Sequence, residues 1–400
     1  MTGVVAPSDL ARTKAPRARL AGRVLACDAE GAVVADAFAQ VVVAGLSGVT
    51  VGDLVVVRVR RDGAGLVAER LESRIAPARP DRAATGETAR FTTGGVGGHL
   101  HARARALAAL RAWFRRARFV EVETPARVPS PGLDLHLDAF ASDDAFLVTS
   151  PEYQMKRLLV GGVPRCFQVA RVWRRGEVGA RHNPEFTMLE WYRAFAGVAS
   201  VMADTEALVV AVARAVAGRP ELTVGGVRVP LARPFERLSV GAAFERYAGV
   251  AEGDALALAA SDETRFFELL VDRVEPALAA LGRPVFLVDY PASQASLARE
   301  KPGDPRVCER FELYAAGVEL CNGFGELTDP CEQRARLERD RELRRQRGLP
   351  VYPVDERFVA ALEEGMPPSA GNAMGLDRLV ALARGAASIA DVIAFPEGLV

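Results

Sequence analysis

The chain predicts an α+β protein in two parts, a small β-barrel followed by a long domain of mixed strands and helices. Two observations carry this. Between Arg17 and Ser73, five short apolar runs are separated mostly by Gly and Asp, the punctuation of an all-β unit. From His99 onward, runs with helical spacing alternate with strand-like ones, the texture of an α+β domain. A length of 400 residues fits two or three such units.

Residues 1–16 are expected to be disordered. Over 17–76 the runs RLAGRVLAC, GAVVADA, AQVVVAG, GDLVVVRV and GLVAERL supply the five strands of an OB-like barrel. Barrels that read single strands use aromatic platforms and a positive groove. Here Phe38 is the only aromatic between Arg17 and Arg74, and eight arginines face seven carboxylates. A structural or protein-docking barrel is the better reading. Residues 77–98, rich in Pro, Gly and Thr, read as a linker.

The second domain, 99–400, opens with ARARALAALRAWFRRAR, whose Leu107, Leu110, Trp113 and Phe114 share a helical stripe. FVEVETP then alternates as a strand and stops at Pro125. The helical stretches SVMADTEALVVAVARAV and DETRFFELLVDRVEPAL read as packing elements, and EQRARLERDRELRRQRG as a charged, solvent-facing helix.

Composition excludes several classes. Fifty-one basic and fifty-one acidic residues leave no net charge, so nothing advertises a nucleic-acid surface. Lys14, Lys156 and Lys301 are the only lysines. The five cysteines are scattered and the four histidines show no ligand spacing, so neither disulfides nor a zinc site is indicated. The N-terminus lacks an apolar signal region, and no apolar run reaches the ~20 residues of a membrane span. A cytoplasmic protein is expected.

Three segments carry chemistry. In RCFQVARVWRRGEVGARHNPEFTMLEWY, alternation puts Phe186, Met188, Glu190 and Tyr192 on one strand face beside an arginine-rich loop. An aromatic surface can take a purine, and arginines can take phosphate oxygens; the alternative is a sheet face with a satisfied ion pair. In FELYAAGVELCNGFGEL, a turn at Ala316-Gly317 pairs Tyr314 with Glu319 and leaves Glu312 one diagonal step away on the same face. Two carboxylates so placed invite a hard cation such as Mg2+; the alternative is two solvated glutamates. In SAGNAMGLDRLVALARG, a small-residue strand enters a helix with Arg378 in its first turn, a place suited to an anion.

The order FVEVETP, RHNPEFTMLEWY and GLDR resembles motifs 1, 2 and 3 of the class II aminoacyl-tRNA synthetases. SPEYQMKRLLVGG and ELCNGFGELTDPCEQ narrow the resemblance to the lysine branch, and within it to the elongation factor P–(R)-β-lysine ligases, which modify a protein. The resemblance covers about 102–396. It implies an antiparallel catalytic sheet flanked by helices, ATP and Mg2+ as cofactors, and a homodimer formed through motif 1. It implies activation of (R)-β-lysine or lysine as the adenylate and transfer to a lysine of elongation factor P, without tRNA or membrane partners.

The same resemblance assigns residues. Arg174 and Arg378 are the catalytic arginines, at the α- and γ-phosphates, and Phe186 stacks under adenine with Arg378 capping it. Glu177, His182 and Asn183 complete the ATP site, and Glu312 and Glu319 hold the metal, with Glu319 also at ATP. Glu152 receives the backbone-type ammonium. Glu326 and Tyr192 surround the side-chain ammonium, and Asn322 lines that pocket. Lysyl-tRNA synthetases carry Arg-Asn-Glu where this chain reads Arg174-Arg175-Gly176-Glu177, so Glu177 stands one position late. Ala373 stands where the synthetases have glycine and the ligases alanine. Two alternatives remain: a lysyl-tRNA synthetase, and an inactive synthetase-like regulator, which the presence of Arg174, Glu312, Glu319 and Arg378 disfavours.

Overall fold

The computed structural model describes residues 3–83 and 85–400, which divide into two compact units, Met1–Ala102 and Arg103–Val400.

In the first unit, period-two alternation builds the barrel. The strands are β1 (Val4–Val5), β2 (Arg17–Cys27), β3 (Gly31–Ala35), β4 (Gln40–Ala44), β5 (Leu54–Asp62) and β6 (Gly65–Ile75). On β5, Val55, Val57 and Val59 point inward while Arg58 and Arg60 point out. Because β2 pairs with both β3 and β5, the path β2-β3-β4-β6-β5 closes on itself. Only β4 and β6 within this ring run parallel. Leu20, Val24, Val34, Val43 and Val57 fill the interior, and the result is an OB-like barrel.

Two boundary expectations differ from the structure. Of the stretch 1–16 expected to be disordered, residues 1 and 2 lie outside the described residues. The rest carries β1, paired with β2 through Val4 and Arg19, and a 3-10 helix, Pro7–Arg12. Leu10 and Val5 pack onto the barrel core, an apolar gain that composition alone did not reveal. The linker 77–98, of which residue 84 is outside the described residues, contains α1 (Pro80–Ala83), α2 (Glu87–Phe91) and the start of α3 (Val96–Arg116).

The second unit centres on a nine-stranded sheet. Its strands are β7 (Val120–Glu121), β8 (Arg165–Trp173), β9 (Glu185–Ala194), β10 (Glu236–Ser239), β11 (Pro284–Pro291), β12 (Glu300–Lys301), β13 (Asp304–Ala315), β14 (Val318–Gly325) and β15 (Ser369–Gly375). They lie in the order β10-β11-β13-β14-β15-β9-β8-β7, with β12 on β13, and all pairs are antiparallel except β7–β8 and β10–β11. The strand predicted through Pro125 shrinks to β7. On α3 the fully buried line is Leu110 and Phe114 with Ala106, so Leu107 and Trp113 flank the stripe instead of forming it.

The β13–β14 turn places Ala316 and Gly317 at φ 46° and 75°, the left-handed pair a two-residue hairpin requires. Tyr314 pairs with Glu319, as the turn predicts. A bulge follows: Leu313 pairs with Cys321 and Glu312 with Asn322, leaving Leu320 as the extra residue. Glu319 and Asn322 therefore face the same side.

The packing stretch SVMADTEALVVAVARAV forms α5 (Val198–Ala217), and the charged run forms α6 (Pro330–Gln346), the latter not as a wholly solvated helix. Arg336 and Arg344 are buried. Arg336 donates to the carbonyls of Ser296 and Ala298 at 2.9 and 2.7 Å. Arg344 donates to the carbonyls of Pro350 and Leu137 at 2.6 and 3.0 Å. Buried guanidinium groups satisfied by carbonyls pin the neighbouring loops. Among the described residues, no helix is long and apolar enough to cross a membrane.

Candidate active site

One face of the sheet bears a row of directly paired residues, Gln168 on β8, Glu190 on β9, Ala373 on β15, Asn322 on β14 and Glu312 on β13. Strands lie about 4.8 Å apart, so this row spans the site. A cavity of about 460 Å³ opens over it. Arg174, Glu177, His182, Asn183, Phe186, Glu312, Glu319, Arg378, Glu152, Asn322 and Ala373 all line it. Tyr192 and Glu326 do not; both are buried beneath the wall.

At one end stand the arginines. The Arg174 guanidinium lies 5.2 Å from the centroid of the Phe186 ring, within cation–π reach, and 3.7 Å from Glu177. Arg378 is in the first turn of α7 (Leu376–Arg384). It donates to the carbonyls of Glu319 and Arg181 at 2.9 and 3.2 Å and meets the His182 ring at 2.8 Å. Arg174 is thus the guanidinium beside the Phe186 ring, and Arg378 stands with His182 and Glu319 on the same cavity wall. Burial, then the charge of Arg378, hold His182 below its ordinary value, which keeps the ring neutral near pH 7. Asn183 donates to the Glu185 carbonyl at 2.6 Å and accepts from the Glu397 amide at 2.9 Å, tying the loop to the C-terminal segment. Asp377, next to Arg378, accepts from the Thr187 amide and pairs with Arg103, which locks α7 to β9.

In the middle are the acids of the β13–β14 hairpin. Glu312 is held by Arg310 and by the Tyr314 hydroxyl, at 2.7 and 2.8 Å. Glu319 is pushed up by its enclosure in the cavity and then by the charge of Glu312, although its side chain keeps 41% of its exposure. Sequence reasoning missed a third carboxyl, Glu275, pushed up to about 7 by burial and by Glu312 and Glu319. No spacing pattern links a helical residue at that distance to the hairpin. Among the described residues no three His, Cys, Asp or Glu side chains are placed to hold a metal by themselves, so an ion here would need oxygens from a ligand.

At the other end a cluster, buried except for Glu152 at the cavity wall, gathers three carboxylates and one cation. Glu152 and Lys156 lie one turn apart on α4 (Glu152–Val160). The Lys156 ammonium, fully buried, sits 2.7 Å from Glu152 and 2.6 Å from Glu326. Glu190 accepts from the hydroxyls of Ser150 and Tyr192 at 2.7 and 2.5 Å. Tyr192 thus donates its hydroxyl to Glu190. Gly371, paired with Tyr192, has room for both: a Cβ there would stand 2.3 Å from the Tyr192 ring and 2.9 Å from Glu326. The Asn322 side-chain oxygen is buried with no hydrogen-bond partner, a vacancy for a donor.

The charges do not balance. Burial, then the charge of Glu152, push Glu190 up to about 8. Burial pushes Glu326 up to about 7 although Lys156 opposes it. With all three carboxylates ionised, one fixed ammonium would leave two charges to be met from outside; the raised values of Glu190 and Glu326 mean that protons meet part of that charge until a cation arrives. Glu190 and Lys156 had not been assigned roles from the sequence, although alternation had already placed Glu190 on the right face.

Residues 88–398 match the family model for class II tRNA synthetases (D, K and N). The barrel strands lie outside that match. Proteins named elongation factor P–(R)-beta-lysine ligase are similar to this chain. That of Klebsiella pneumoniae (strain 342) is 40% identical over 320 residues, 73% of this chain and 93% of the relative. That of Proteus mirabilis (strain HI4320) is 40% identical over 321 residues, 74% and 93%. The Salmonella dublin protein is 39% identical over 320 residues, 73% and 93%.

Proposed function

The chain belongs to the class II tRNA synthetase family (D, K and N), and from that membership we propose that it is a ligase joining (R)-β-lysine or lysine to elongation factor P. ATP would activate the amino acid as its adenylate, and a lysine side chain of the factor would accept it. The relatives named above support the acceptor. The observation that carries the substrate is the charge deficit of the buried cluster. Once ionised, Glu152, Glu190 and Glu326 exceed the single charge of Lys156 by two, and a diamino acid brings two ammonium groups.

In the first half-reaction the amino acid carboxylate, already ionised at neutral pH, attacks the α-phosphorus, and pyrophosphate leaves. Arg174 and Arg378 stabilise the charge that builds on the phosphates. Phe186 offers its ring to adenine, beside Glu177, His182 and Asn183. Glu312 and Glu319, like charges that raise one another's cost, would hold a magnesium ion with phosphate oxygens completing its shell, and it would neutralise part of the triphosphate charge. In the second half-reaction the acceptor's neutral ε-amine attacks the acyl carbonyl. The amine's proton is lost and AMP leaves with the bonding pair. We place the reaction in the cytoplasm and in a dimer formed through the α3–β7 segment.

The test supplies ATP and labelled lysine or β-lysine, with elongation factor P and tRNA in separate reactions. Label on the factor is expected. Label on tRNA would make the chain a lysyl-tRNA synthetase, and no adenylate with either amino acid would make it an inactive regulator.

A further inference from the structure

Lys156 is an unusual occupant of an amine-binding pocket, because its own ammonium competes for the carboxylates that would receive the substrate. It is fully buried and has ion-pair contacts on both sides, Glu152 from its own helix and Glu326 from the chain just after β14. No water-facing route relieves it. Burial works against its charge, and the two glutamates overcome that and hold it protonated.

We infer that Lys156 is a specificity-determining positioning residue: fixed between Glu152 and Glu326, it neutralises one of three clustered carboxylates, two of them buried, and so limits the pocket to ligands with two ammonium groups. This rests on the reading that the substrate is a diamino acid. A tethered cation cannot dissociate, so it permanently removes one charge from what the ligand must supply. It also ties α4 to the end of β14, fixing Glu152, which lines the cavity, relative to Glu326 behind its wall. Without it, three carboxylates would share one dry pocket, and such a group takes up a proton instead of remaining fully ionised.

The groups facing the ammonium come from every side. Glu152 on its own helix and Glu326 after β14 touch it, and Glu190 acts on it from β9; behind these, Tyr192 on β9 and Cys166 on β8 adjoin Glu190, and Arg299, before β12, acts on Glu326. All but Lys156 and Arg299 are acids, so loss of Lys156 raises proton affinity throughout. The sign follows. A carboxyl that holds a proton in the free enzyme must release it to pair with an ammonium, so substrate binding weakens as pH falls.

The experiment measures KM and kcat for lysine-dependent and β-lysine-dependent pyrophosphate exchange from about pH 6 to about pH 9, in wild type, Lys156→Met and Lys156→Arg, with thermal melting as the control for folding. Lys156→Met is expected to raise KM about tenfold or more at pH 7, the effect of one pKa unit. The gap should narrow toward pH 9, and kcat should change less than KM. Lys156→Arg, which keeps the charge, should follow the wild-type profile. A folded Lys156→Met variant whose KM tracks wild type at every pH overturns the inference. So does a loss confined to kcat. Should Lys156→Met fail to fold, Lys156→Ala is assayed with n-propylammonium, which replaces the atoms removed, and with n-propanol. Rescue by the ammonium alone supports the inference, and equal effects of the two overturn it. Absence of exchange with either diamino acid in wild type would instead overturn the substrate reading.

Discussion

In the barrel, charged side chains meet one another at the surface. Arg17 pairs with Glu69 at 2.8 Å, Arg19 with Glu72 at 2.7 Å, and Arg58 with the same Glu72 at 2.9 Å. Its one buried carboxylate, Asp53, is answered by Arg74 at 2.6 Å and by the Thr50 amide at 2.7 Å. In the second unit, the buried Glu190 and Glu326 share with Glu152 the single buried ammonium of Lys156, and Glu319 faces Glu312. Exposed pairs are worth little and ask for nothing more. Buried charge without a full complement is costly, and it persists where a ligand completes it.

The hardest blow to this contrast would come from an analogue without the distal ammonium. Norleucine should be adenylated about 10³-fold or more less efficiently than lysine, since a site built for a polar group rejects what lacks it. Comparable kcat/KM values would make the cluster as self-contained as the barrel pairs. Next in size is the hairpin. Glu319→Gln should lower pyrophosphate exchange by about 10²-fold or more at limiting magnesium, with the melting temperature kept. Near-normal exchange would falsify the assignment of Glu312 and Glu319 to the metal. Ala373→Gly sharpens the contrast within the site. Ala373 stands between Glu190 and Asn322 on the sheet, and one methyl shifts discrimination by about 10–200-fold. The use of α-lysine relative to β-lysine should rise by an amount in that range, measured as a ratio of kcat/KM values. The smallest effect belongs to the barrel. Reversing Arg60 and Arg70 together to Glu should leave adenylate formation within about twofold. If the reversal instead abolishes salt-sensitive tRNA binding, the synthetase reading gains.

Much of this was legible from residue order. Alternation located the five barrel strands, and the turn at Ala316-Gly317 placed Tyr314 opposite Glu319. Local patterns reach only as far as local geometry. The contact of Lys156 with Glu326 joins a helix to a strand end far along the chain, and no periodicity encodes it. Arg336 and Arg344 looked like solvent residues because acceptors such as the carbonyls of Ala298 and Leu137 lie far off in the sequence. The short strand at Val4 has too few residues to show a period, and its partner at Arg19 decides it.

The bulge at Leu320 acts as a change of phase in the middle of β14. Upstream, Glu319 keeps step with Tyr314; downstream, Asn322 keeps step with Glu312 and Ala373. Strict alternation counted from Glu319 would have aimed Cys321, Gly323 and Gly325 at the ligand and turned Asn322 and Phe324 away. The strand is therefore intolerant of odd-numbered changes in length. Inserting or deleting one residue between Glu319 and Asn322 would exchange the two faces of everything beyond it. A change of two would preserve the facing and slide the amine end by about 6.6 Å along the sheet. The distance between the site's two halves is thus set in whole steps of the backbone, a ruler that admits only even divisions.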